Sequence, residues 1–132
     1  MQIDVGDIIL IKNNEIDPPK RKFSLCVFIE KDNIEDDYYF LLINKENRKM
    51  YDGYKIKNED HGFLNQDSYI GCTNLFKYSK EEILSLGYDK KSYLKYEEIK
   101  GLLSHIENSD VLTAKYKRMI VESLKEVLLD YE

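Results

Sequence analysis

GDIILIKNNEIDPPKRKFSLCVFIE, residues Gly6 to Glu30, sets two apolar runs on either side of a polar stretch that carries a double proline. Gly6-Asp7 suits a tight entry turn, and the run Ile8, Ile9, Leu10, Ile11 has the β-branched residues of a buried strand. In the second run Phe23, Leu25, Val27 and Ile29 alternate with Ser24, Cys26 and Phe28, apolar enough for a strand covered on both faces. Between them, Asn13 to Lys22 reads as a loop. Pro18-Pro19 cannot donate ladder hydrogen bonds and holds the backbone extended, so this stretch projects from the sheet, as a lid or binding arm does.

The same logic continues outward. After the acidic turn from Glu30 to Asp37, Tyr38 to Ile43 forms a third strand, Tyr51 to Lys57 carries a hairpin signal around Asp52-Gly53, and Tyr69 to Phe76 forms a further strand. About five short strands with tight connections predict a small antiparallel barrel rather than a βαβ sheet. Beyond Ser79 the period changes. Ser79 and Glu82 fit a capping box, with Gly87 as the stop of a short helix. Ile99, Leu102, Leu103 and Ile106 mark a second helix; Leu112, Tyr116, Met119, Ile120, Ser123, Leu124 and Val127 mark a third, with Ser109 as its cap. The expected architecture is α+β, a single domain over 1–132, with the barrel in 1–79 and a helical part in 80–132 that packs on the barrel or on a second subunit.

A chain of 132 residues that is 42% hydrophobic can bury a continuous core without staples. Cys26 and Cys72, both inside apolar runs, read as buried free thiols, and their spacing does not make a zinc site. No motif points to a metal or another cofactor. Neither a leader peptide nor an apolar stretch of membrane-spanning length is evident, so the expected location is the cytoplasm, with no membrane partner. A net charge of −5 opposes a broad nucleic-acid surface, because phosphate affinity comes from clustered Lys and Arg. Two local groups remain as candidates in the first 79 residues: Lys20, Arg21 and Lys22, and then Lys45, Arg48, Lys49, Lys55 and Lys57.

Chemistry concentrates in DHGFLNQDSYI, Asp60 to Ile70, which puts one of the two histidines, two carboxylates and a hydroxyl beside a strand. An imidazole can shuttle a proton at physiological pH, so His61 is a candidate for that role, or it can bond its own backbone in the turn. Ser68 can orient a phosphate or cap the strand, and Asp67 can orient His61 or stabilise the turn.

GDIILI at 6–11, the loop ending in Lys20-Arg21-Lys22, and FSLCVFI at 23–29 together resemble the opening of the MazF/PemK family of toxin ribonucleases. DHGFLNQDSYIGCTNLF is similar to the second half of a divergent branch of these small SH3-like barrels. The resemblance covers about the first 80 residues. It implies a barrel, often a homodimer, that cuts single-stranded RNA without a metal and is held inactive by a cognate antitoxin. In that chemistry the ribose 2′-hydroxyl attacks the adjacent phosphate, so the protein supplies a proton acceptor, a proton donor and a cation for the phosphorane. Arg21 matches the family's basic residue at the head of the second strand, where its fork suits phosphate oxygens.

The expected catalytic residues are therefore Arg21, His61 and Ser68, with Lys20, Lys22, Lys45 and Asp67 placing the substrate. Two departures stand out. Lys22 and Phe23 follow the arginine where many relatives have proline, and Asn44-Lys45-Glu46 stands where many have Ser or Thr after the third strand. An alternative is a catalytically silent SH3-like module whose eleven tyrosines supply contact area for protein or single-stranded nucleic acid. A third is an interaction protein that presents the tail Ser109–Glu132 to a partner.

Overall fold

The computed structural model describes residues 1–131. Gly6 adopts a φ of 99°, a region open to glycine, and its N–H donates to the Cys26 carbonyl at 2.8 Å. Asp7 ties the same turn: its carboxylate accepts from the Asp4 N–H at 2.8 Å and meets Lys90 Nζ at 3.1 Å. The Gly-Asp pair thus turns the chain into β1 (Asp7–Asn13) as expected.

β1 pairs antiparallel with β2 (Lys20–Glu30), from Ile8 opposite Leu25 to Asn13 opposite Lys20. That register places Lys20, Arg21 and Lys22 on the strand, so the loop spans only residues 14–19. Hydropathy alone put the boundary too late, because exposed bases at a hairpin end keep their ladder bonds without being apolar. β3 (Asp37–Asn44) follows as read, with small differences at its ends. The expected hairpin around Asp52-Gly53 is instead a 3₁₀ turn, Lys49–Tyr51, closed by Asp52 at a φ of 46° and leading into β4 (Gly53–Ile56). β4 pairs with β5 (Ser68–Gly71) across the His61 loop.

The expected strand from Tyr69 to Phe76 divides into β5 and β6 (Phe76–Ser79). β3 forks to accept both: Ile43 and Asn44 pair with β5, and Asp37 to Phe40 pair with β6. β6 runs into α1 (Lys80–Leu86), where Ser79 Oγ accepts from the Glu82 N–H at 3.1 Å and Glu82 returns a bond to the Ser79 N–H at 3.0 Å. β7 (Tyr88–Tyr93) was not read from sequence, and it pairs antiparallel with β1. α2 (Tyr96–Glu107) and α3 (Ala114–Asp130) complete the chain. The sheet has seven strands in the order β4-β5-β3-β2-β1-β7, with β6 beside β3. Among the described residues its end strands do not pair with each other, so the antiparallel sheet is open and has seven strands where about five were expected, and the α+β class with C-terminal helices holds.

Apolar residues fill both faces of this sheet. Ile8, Leu25, Val27 and Leu41 meet Ile99, Leu102, Ile106, Ile120 and Leu124 of the two long helices. Ile9, Ile11, Cys26 and Phe40 meet Tyr78 and Ile83 on the other face. The helical stripes therefore pack on the sheet. Ser109 does not cap α3, which Thr113 caps from its own side chain; the Ser109 hydroxyl bonds the Asp52 carboxylate instead. Both cysteines are free and buried, and burial pushes the Cys72 thiol up to about 12. Among the described residues, no helix is long and apolar enough to cross a membrane.

Candidate phosphate-binding cleft

The head of β2 is held by β1 on one side, and Asn44 at the end of β3 stands close by. A cleft of about 500 Å³ opens there, walled by Lys20, Arg21, Lys22, Lys45 and Arg48. Glu46 is the single carboxylate among its lining residues; Tyr51, Phe63 and Ser68 add an aromatic and hydroxylic floor. Five cations around one cleft make a local positive field inside a chain of net charge −5.

The cations are not equivalent. Arg21 donates to Asp89 Oδ2 at 2.7 Å across β1, and this hydrogen bond holds the Asp89 carboxyl below the usual range. Arg48 is paired with Glu46 at 2.9 Å. Lys22 is half-buried and donates to Asn44 Oδ1 at 3.0 Å. Burial, then the charges of Lys20 and Lys45, push its ammonium below the ordinary lysine value. An anion placed among these three lysines offsets their mutual repulsion, so the cluster is suited to an anion.

The other expected residues separate. Ser68 lines the cleft but is almost fully buried, and its Oγ donates to the Gln66 carbonyl at 3.1 Å. Asp67 accepts from the Asn58 N–H at 2.9 Å and meets Lys55 at 3.5 Å, pinning the loop rather than orienting His61. The Asn58 bond is the main reason its carboxyl lies low. His61 is 1% exposed and does not line the cleft. Its Nε2 donates to Glu98 at 2.8 Å, and its Nδ1 lies 2.7 Å from Ser92 Oγ. Because a carboxylate only accepts, Glu98 fixes the proton on Nε2, and the Ser92 hydroxyl can donate to Nδ1. Glu98 also accepts from the Lys95 N–H at 2.9 Å. Phe63 packs on Phe23 at 4.7 Å and on His61 at 6.0 Å, standing between the imidazole and the cleft. His61 thus joins the loop, β7 and α2.

Sequence reading missed Asn44, Glu46 and Tyr51 as walls, and Ser92 and Glu98 as the histidine's partners. Asn44-Lys45-Glu46 had been noticed only as a departure from the resemblance; its place at the end of a strand bordering three bases was the available signal. Glu98 lies 37 residues from His61, and no local pattern joins them.

No known family profile and no curated protein matches the sequence. Among solved structures, the Mycobacterium tuberculosis toxin MazF-mt6 is similar with a TM-score of 0.56, covering 77% of this chain and 93% of that one at 17% identity. That likeness gives this chain a MazF-like fold.

Proposed function

We propose that the chain is a MazF-like toxin that binds single-stranded RNA in the cleft at the head of β2 and cleaves it without a metal. The observation that carries this reading is the convergence of Lys20, Arg21, Lys22, Lys45 and Arg48 on one cleft in an otherwise acidic protein. The fold shared with a MazF toxin supports it. Arg21 takes two oxygens of the phosphate in a fork and stabilises the charge of the phosphorane, while Lys20 and Lys45 place the neighbouring phosphates. Lys22, with its lowered ammonium, donates to the departing 5′-oxygen. Glu46, the carboxylate among the cleft's lining residues, takes the 2′-hydroxyl proton once Arg48 turns from it to the phosphate. Ser68 shapes the floor, and Asp67 serves through the loop it pins.

A cognate antitoxin that covers this cleft, a homodimer and a cytoplasmic location belong to the same proposal. One observation favours the second reading, an RNA-binding module without catalysis: the histidine best suited to proton transfer is withdrawn into the core. The deciding experiment incubates the purified chain with long single-stranded RNA in EDTA, beside Arg21→Ala and Lys22→Ala. Discrete cleavage by the wild type, reduced at least tenfold in both variants, supports the ribonuclease. Tight binding with intact RNA selects the binding module.

A further inference from the structure

Lys22 does not close the cleft. On its far side a second depression of about 320 Å³ shares Lys20, Lys22, Asn44 and Tyr51 with the first. Thr73 and Asn74, in the connection between β5 and β6, stand on its wall with Phe76. The two depressions differ in charge. The first adds Arg21, Lys45 and Arg48, against the single carboxylate of Glu46, to the shared pair of lysines, whereas the second adds only Asp17 and neutral side chains. A phosphate is therefore favoured more strongly in the first, while Asp17 offsets part of the lysine charge in the second.

Each phosphate of a single strand joins two nucleosides. A phosphate held on Lys22 sends one of them to each side of the Lys22–Asn44 wall. The second depression offers a carboxamide, which both donates and accepts, a hydroxyl and two aromatic rings: the groups that read and stack an unpaired base. We propose that this depression is a base-reading pocket for one nucleotide of a single-stranded RNA, with Asn74 and Thr73 selecting the base and Phe76 and Tyr51 lining it. This inference rests on the RNA-binding reading of the main cleft.

The test measures binding of fluorescent 2′-O-methyl oligoribonucleotides, which lack the attacking hydroxyl and stay intact, to the full chain and to a Thr73→Val, Asn74→Ala variant. The oligonucleotides vary one base at a time. The expected result is one position at which the best and worst bases differ by about fivefold or more in Kd, collapsing below about twofold in the variant. A ratio of affinities does not depend on the folded fraction, so a partly unfolded variant does not mimic the effect. Binding without a base preference, or a preference that survives in the variant, overturns the pocket and leaves the main cleft standing. No binding of any oligonucleotide overturns both. A preference that collapses in the variant, in a protein that cuts no RNA, upholds the pocket and removes only the ribonuclease.

Discussion

Asp89 holds Arg21 at the rim of the cleft, and on the proposed function a phosphate has to displace it. Asp89→Asn therefore raises RNA affinity about twofold to fivefold, the range of an exposed ion pair. Because Arg21 holds the Asp89 carboxyl low, the restraint is complete at neutral pH and fades as pH falls through that lowered value. Affinities of wild type and variant, measured by anisotropy, should converge in acid. His61 makes a contrasting case. His61→Ala leaves the part-buried Glu98 without its imidazole donor and opens a cavity, and should lower stability by about 2–4 kcal/mol in urea unfolding. The protein that remains folded should bind RNA as the wild type does; a loss of binding at full folding would return His61 to the site. The residue types that carry chemistry were legible in the sequence, but burial was not. That Arg21 and Lys22 lie together was legible because they adjoin a strong strand, whereas the burial of His61 was not, because its partners come from β7 and α2.

Secondary elements were legible where their cause is local. The box at Ser79 and Glu82 is written within four residues, and α1 begins there. Ser79→Ala should cost about 1 kcal/mol, read as a lower midpoint of unfolding. A glycine in the middle of α2 carries the opposite lesson. Gly101 lies against the Tyr54 hydroxyl and ring, and a Cβ there would overlap them. Alanine improves helix propensity by about 1 kcal/mol, yet overpacking of about 1–3 kcal/mol opposes it, so Gly101→Ala should be neutral to destabilising. Adding Tyr54→Leu should turn the substitution stabilising, as a double-mutant cycle in denaturant would reveal. β7 was missed because Asp89, Lys90 and Lys91 leave no apolar alternation to read. An edge strand owes its existence to a neighbour's free backbone groups, and charged side chains there also discourage pairing with other chains.

Across the whole molecule, net charge hides the cleft. A count of −5 describes a surface rich in Asp and Glu, while five cations face one hollow. RNA affinity should therefore fall steeply with salt despite the acidic balance, and Lys22→Ala should reduce the log–log slope by about 0.7, as expected for one lost phosphate contact on a single strand. An unchanged slope would place the RNA elsewhere. Architecture was legible as strands first and helices last, with the exception of β7, which lies past α1 and returns to β1. That exception matters during synthesis. β1 waits for residues 88–93 before its second edge is covered, so a nascent chain carrying every residue of the cleft still has an exposed, apolar β1. Premature termination after α1 should yield an aggregating product rather than a small active fragment, and the activity proposed for this protein becomes available only after β7 has been made.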